Sequence, residues 1–256
     1  MGVMRSRQSS GQILVIAVLV VSLVLLSTQA YIFEVGRSLG ETRSVRVNDF
    51  VLAIKLGSKH VVTGSLADIS TGSDSAVLYS NLESWATFIS GFYQLGRPVL
   101  NFTLRDTSPY ASGLRLSWGI DGFGVTGAYT DFNFSLLDGQ VGVQLPYALN
   151  VTTTLFVEGT HRNLQGDIMQ VNVTCRVLND GAPALAHNLT VLYEKSGAWL
   201  RADAEDSYSF TDYGNGTYLV IFEQEYLPLE PVNVSAQLYD LRSIYVQANV
   251  TSTEST

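Results

Sequence analysis

The chain has 256 residues, 46% of them hydrophobic and only 15% charged, with a formal net charge of −8. Ordinary soluble domains carry about 25% charged residues, and the acidic balance argues against nucleic acid, whose phosphates need a basic face. One cysteine, Cys175, excludes an intramolecular disulfide and a cysteine-built zinc cluster.

Charge is unevenly placed. Residues 1–60 hold seven Lys/Arg against three Asp/Glu, a local balance of +4, while residues 61–256 hold eight against twenty, a balance of −12. The apolar excess begins early: Ile13–Phe33 is an uncharged stretch of 21 residues whose only polar members are Ser22 and Ser27-Thr28-Gln29. At about 1.5 Å rise per residue a helix of this length spans roughly 31 Å, the thickness of a hydrocarbon core. Arg5 and Arg7 precede it, which places the N-terminus inside and the remainder outside. Residues 1–12 then form a basic cytoplasmic segment or leader, and 13–33 a transmembrane helix.

Three fates are open to this segment. It can be retained as a signal-anchor. It can be cleaved as a secretory signal, with Thr28-Gln29-Ala30 as the small-residue site before Tyr31. The third fate follows from a resemblance. The run Arg5-Ser6-Arg7-Gln8-Ser9-Ser10-Gly11-Gln12 before an apolar helix resembles the class III signal of archaeal type IV pilins. That resemblance implies cleavage between Gly11 and Gln12, with the hydrophobic helix kept on the mature protein. Ile16 stands where bacterial pilins carry a glutamate.

Residues 34–96 read as a helical stalk. Arg37, Arg43 and Arg46 fall just above the membrane as solvated charges. Val47, Phe50, Val51 and Ile54 recur at helical spacing, with Gly57 expected to end the run. Leu78, Leu82, Trp85, Ile89 and Phe92 make a second stripe, capped by Ser73 or Asp74 and stopped by Gly96 and Pro98. Such a stripe is expected to pack on the chain's own β-domain, an oligomer seam being the functional alternative.

From Val99 the period changes to two. Leu100, Phe102 and Leu104 alternate with polar neighbours, as do Phe132, Phe134 and Leu136. So do Val171, Val173, Cys175 and Val177, and again Val232, Val234, Ala236 and Leu238. Alternation of this kind predicts strands with one buried and one wet face, organised as an antiparallel β-sandwich. Asn179-Asp180-Gly181 and Tyr213-Gly214-Asn215-Gly216 are hairpin turns, where positive φ selects Gly and Asn. Residues 97–159 form a smaller β-rich region, separate or joined to the same sheet.

Residues 160–256 supply about seven strands, the number an immunoglobulin domain uses. Val171–Val177, the turn at 179–181, Leu189–Tyr193, the run Asp212–Tyr218 and the pair Val232–Tyr239 with Ile244–Thr251 resemble the Ig-like modules of prokaryotic surface proteins. That resemblance implies a spacer or adhesive unit and names no ligand.

Eight of the twelve asparagines stand two residues before Ser or Thr without an intervening proline: Asn101, Asn133, Asn150, Asn172, Asn188, Asn215, Asn233 and Asn249. These are N-glycosylation sequons. Polar strand faces place Asn and Thr two apart without glycans, but strands are poor in Asn. In seven of them the middle residue is Val, Leu or Phe, which turns Asn and its hydroxyl partner to the outer face. Asn215 lies on a glycine turn instead. Glycans would keep a charge-poor surface soluble.

Catalytic patterns fail. Gly122-Phe-Gly124-Val-Thr-Gly127 has the spelling of a dinucleotide fingerprint, but a strand pattern follows it where phosphate binding needs a helix N-terminus. These glycines are expected to form a turn or bulge. His60, His161 and His187 are isolated. Asp203, Glu205, Asp206 and Asp212 lack calcium-loop spacing and read as a solvated acidic loop. The expectation is a non-enzymatic, single-pass, glycosylated cell-surface protein, structural or adhesive, with a cytoplasmic N-terminus and an extracellular β region. A pilin-like subunit polymerising through its N-terminal helix is the alternative. The expected partners are the lipid bilayer and other proteins, including copies of itself through that helix. No cofactor, metal, nucleic acid or small-molecule substrate is expected.

Overall fold

The computed structural model describes Leu26, Ser27, Gln29 and residues 48–91, 96–119, 121–138, 141–164, 167–205, 207–225 and 232–255. The chain divides into two compact units, Met1–Ile54 and Lys55–Thr256. In the first, the described residues are helical: Leu26, Ser27, Gln29 and 48–54. The remainder of the 13–33 stretch, Arg37, Arg43, Arg46 and the candidate cleavage pair Gly11 and Gln12 lie outside the described residues. Among the described residues no helix is long and apolar enough to cross a membrane.

The second unit opens with helix α1 (55–70). Its buried residues Ser58, Val62, Ser65, Leu66 and Ile69 fall three or four apart, on one face. The helix does not stop at Gly57, as its sequence suggests, but runs through it. The physical reason is steric. A Cβ at Gly57 would stand 2.3 Å from the ring of Trp85, so the position is a notch for an aromatic side chain and not a terminator. Trp85 Nε1 donates to Ser58 Oγ at 3.0 Å beside it.

Helix α2 (Ala76–Ser90) buries Leu78, Leu82 and Ile89, three members of its expected stripe. Phe92 lies outside the described residues. Asp74 Oδ1 accepts the Ala76 N–H at 2.7 Å, satisfying one of the free donors of the first turn. The helix stops at Gly91, whose N–H returns to the Phe88 carbonyl at 3.1 Å. That is earlier than the expected stop at Gly96 and Pro98. Pro98 belongs to an edge strand, where a missing N–H leaves no ladder bond unmade.

The described strands are β1 (Arg97–Leu104), β2 (Leu114–Trp118), β3 (Phe123–Asp138), β4 (Val141–Asn163), β5 (Ile168–Asn179), β6 (Ala182–Pro183) and β7 (Ala186–Lys195). They continue as β8 (Ala198–Arg201), β9 (Ser209–Asp212), β10 (Thr217–Glu225), β11 (Asn233–Asp240), β12 (Tyr245–Thr251) and β13 (Thr253–Glu254). A large sheet runs β1-β3-β4-β5-β10-β9, with β2 on β3, β6 on β5 and β13 on β4. A small sheet runs β12-β11-β7-β8. Pairing is antiparallel throughout except β13 with β4. β4 passes unbroken through position 159/160, pairing with β3 along one edge and β5 along the other.

One face of the large sheet carries two different covers. At its β1-β3-β4 end the register aligns Phe102 with Phe132 and Phe132 with Tyr147. The helices lie there: Tyr79 packs on Phe102 with ring centroids 5.4 Å apart, and Ser58 Oγ is 2.9 Å from Tyr147 Oη. Further along, the same face meets the small sheet. Leu155, Val157, Val171, Val173, Cys175, Val177, Val220 and Phe222 interlock with Val191, Tyr193, Val234, Ala236, Leu238, Val246 and Ala248 in one core. Each fully buried Val, Leu or Phe contributes roughly 1.5–3 kcal/mol relative to exposure. The alternation of Val171–Val177 and of Val232–Leu238 thus emerges as the two inner faces of one packing layer.

Candidate functional site

The glycine triplet at Gly122, Gly124 and Gly127 is a place of close sheet packing. Gly122 takes φ +71° at the turn into β3, as expected for a turn. Gly124 and Gly127 sit in regular strand register with no bulge, which corrects that part of the expectation. At Gly124 a Cβ would stand 2.0 Å from the Gln247 carbonyl oxygen, because β12 crosses directly over it. Next to it Thr126 Oγ1 donates to the Tyr245 carbonyl at 2.7 Å.

The titratable groups singled out in the sequence do not converge. His60 is exposed, His161 Nδ1 is 2.9 Å from Ser252 Oγ, and His187 stacks on Tyr239. Among the described residues no group of three His, Cys, Asp or Glu is arranged to hold a metal ion. The acidic loop is dispersed among local partners. Arg201 pairs with Asp203 at 2.7 Å, and its hydrogen bond holds the Asp203 carboxyl below its ordinary range. Glu205 accepts the Tyr193 hydroxyl, and Asp212 Oδ1 accepts the Gly214 N–H at 2.8 Å. Asp206 lies outside the described residues. Cys175 is fully buried on β5, and desolvation pushes its thiol up to about 12.

Seven of the sequon asparagines lie on strands and Asn215 on a turn, and they do not share one environment. Asn101, Asn133, Asn150, Asn188 and Asn215 are exposed, while Asn172, Asn233 and Asn249 are half-buried. The middle residues Phe134, Val151 and Val173 are buried between an Asn and a Ser or Thr that are at least partly exposed, whereas on β11 Ser235 is buried along with Val234. Asn101 and Asn133 stand directly opposite each other in the β1–β3 register, so their side chains are immediate neighbours on one face. On β4, Asn150 Oδ1 accepts the Tyr110 hydroxyl at 2.8 Å. Asn215 takes the turn geometry its sequence implies, its Oδ1 accepting the Thr217 N–H at 3.0 Å. Asn188 has φ +55°, a left-handed conformation that Asn tolerates better than most residues.

The β11–β12 pair is different. Its register sets Asn233 opposite Thr251 and Ser235 opposite Asn249, so each sequon asparagine faces the other sequon's hydroxyl residue. Thr251 Oγ1 donates to Asn233 Oδ1 at 2.8 Å, and Asn233 Nδ2 donates to Glu194 Oε2 at 2.8 Å. Gln247 Nε2 reaches Ser235 Oγ at 3.2 Å and Asn249 Oδ1 at 3.1 Å.

A row of aromatic rings on the small sheet is absent from the sequence-based expectations. His187 and Tyr239 are 6.0 Å apart, Tyr239 and Tyr245 are 5.3 Å apart, and Tyr245 and Trp118 are 5.2 Å apart. The outward parity of Tyr239 and Tyr245 in their strands is the available signal, but their register and the arrival of Trp118 are long-range facts. Such a row offers large apolar area with polar tips and no reacting group.

No protein-family model matches the chain, and no curated protein matches it.

Proposed function

We propose that the chain is a membrane-anchored, N-glycosylated cell-surface protein whose β unit is a non-catalytic structural or adhesive module. The observation that carries this reading is the two-faced strand: apolar residues inward, and neutral polar residues with sequon asparagines outward. A surface written in Asn, Ser and Thr keeps water without charge when sugars extend it. The uncharged 21-residue stretch Ile13–Phe33 behind Arg5 and Arg7 supplies the anchor and its orientation.

An immunoglobulin-like β-sandwich is the finer reading of the fold. The order β4-β5-β10-β9 over β12-β11-β7-β8 corresponds to the A-B-E-D and G-F-C-C′ arrangement of that architecture. This order supports a spacer or adhesive module, since function on such a scaffold lives in its outer surfaces.

Peptide mapping of the mature N-terminus, on protein recovered from alkali-washed membranes, tests the anchor. Membrane retention with residues 1–12 present is the expected result. A start at Gln12 moves the assignment to a pilin-like filament subunit, and a start at Tyr31 overturns the anchored reading altogether.

A further inference from the structure

We propose that strand register and exposure separate sequons that carry glycans, Asn101, Asn133, Asn150 and Asn215, from sequons that hold the fold together, Asn233 and Asn249, and that the latter two stay bare. This rests on the glycoprotein reading above and specifies where the sugar goes. N-glycosylation joins the asparagine Nδ2 to the anomeric carbon of an oligosaccharide activated on a lipid phosphate. The Nδ2–C1 bond forms as the C1–O bond to phosphate breaks; the phosphate leaves with the electron pair and Nδ2 gives up one proton. The reaction therefore needs a free Nδ2 and a reachable hydroxyl two residues on.

At Asn233 neither is available. Its Nδ2 is committed to Glu194, its Oδ1 to Thr251, and the hydroxyl residue Ser235 is only 2% exposed. Asn249 shares the same ladder: unlike Asn150 it is half-buried, set opposite the buried Ser235, and the hydroxyl of its own sequon residue, the exposed Thr251, is donated to Asn233. Antiparallel pairing of two Asn-x-Ser/Thr strands sets each asparagine opposite the other strand's hydroxyl residue, joined directly at Thr251–Asn233 and through the Gln247 amide at Ser235 and Asn249.

The contrast on the large sheet is sharp. Asn101 and its hydroxyl residue Thr103 are both exposed on edge strand β1, and Asn133 beside it is exposed too. With Asn150 on β4 these define a sugar-bearing face, opposite in sense to the face that the helices cover. Asn215, exposed on its turn, is a further open site.

Glycopeptide mass spectrometry of the native full-length protein from its source membranes reads the division directly. The expected pattern is sugar on peptides containing Asn101, Asn133, Asn150 or Asn215, and none on those containing Asn233 or Asn249. Sugar at Asn233 or Asn249 overturns the division and leaves the glycoprotein reading standing; no sugar at any of the eight overturns both. Paired variants supply the second readout. Asn101→Gln is expected to remove one glycan mass with an unchanged melting temperature. Asn233→Ala is expected to leave the mass spectrum of glycans unchanged and to lower the melting temperature by about 3 °C, through loss of two side-chain hydrogen bonds. An Asn233→Ala protein as stable as the parent would overturn the structural role.

Discussion

The Asp240 carboxylate and the Arg242 guanidinium meet at 2.7 Å in the β11–β12 turn, and the Asp240 side chain is fully buried. Asp240 Oδ1 also accepts the backbone N–H groups of Arg242 and Ile244, and Oδ2 accepts the Thr153 hydroxyl. Arg242 extends the contact to the Thr152 carbonyl at 2.8 Å and to Asp180 at 3.2 Å. The pair thus clasps a turn of the small sheet to β4 and to the β5–β6 turn of the large one. Removing one partner of a buried pair leaves an uncompensated charge, at a cost of about 3–5 kcal/mol. Arg242→Met is expected to lose that much in urea unfolding, and Asp240→Asn in the same chain to recover part of it. Lys59→Ala, at the exposed 4.0 Å contact with Asp180, should change stability by less than about 0.5 kcal/mol.

Two glycines give opposite expectations for one substitution. At Gly124 an added methyl meets the Gln247 backbone oxygen, which cannot step aside as a side chain can. Gly124→Ala should cost about 1–3 kcal/mol or more, the range for overpacking a closed interface. At Gly64, inside α1, an added methyl would meet no atom within 4 Å. Gly64→Ala should gain about 0.5–1 kcal/mol by improved helix propensity. Equal melting temperatures for the two variants would refute the close-approach account of Gly124.

These glycines mark where the sequence stops being legible. Period-two runs such as Val171–Val177 announce their inner faces because burial selects apolar side chains at every second position. The turn Tyr213–Gly216 is equally readable, since left-handed φ at Gly214 and Gly216 excludes most other residues. Gly57 and Gly124 carry no side chain to show what approaches them, so Trp85 and β12 are invisible from their own neighbourhoods. The sequons are visible as spelling alone. Whether Asn233 is free depends on Glu194, which lies 39 positions away in the chain. The clasp joins Asp180, Thr153 and Arg242 across two sheets, and nothing in local patterning pairs them.

Cys175 gives a clean probe of the shared core. Its thiol is fully buried and raised to about 12 by desolvation, and only the thiolate reacts with disulfide reagents. In native protein at pH 8 the thiol should not react with an aromatic disulfide on the minutes scale, and in 6 M guanidinium it should react at once. Stoichiometric reaction of the native protein would place Cys175 outside the core. Cys175→Ser, which puts a hydroxyl among Val157, Val173 and Tyr218, should lower stability by about 1–3 kcal/mol.

The Tyr193–Glu205 contact predicts how stability falls in alkali. Burial, reinforced by the hydrogen bond and the negative charge of Glu205, raises the Tyr193 hydroxyl above its ordinary value near 10. The unfolded chain therefore releases this proton at lower pH than the folded chain does. Between the two values the native state binds more protons, so unfolding becomes easier as pH rises. The contribution is complete below pH 10 and declines above it. Tyr147, Tyr208 and Tyr245 are raised by burial as well and act in the same direction. Urea midpoints measured at pH 8, 10 and 11 should fall with pH, and Tyr193→Phe should flatten the decline. The same variant should lose about 1.5–3 kcal/mol at pH 8, where only the hydrogen bond to the charged Glu205 is missing. An unchanged alkaline slope in Tyr193→Phe would mean that the other tyrosines carry the whole effect, and that the Glu205 contact contributes nothing to it.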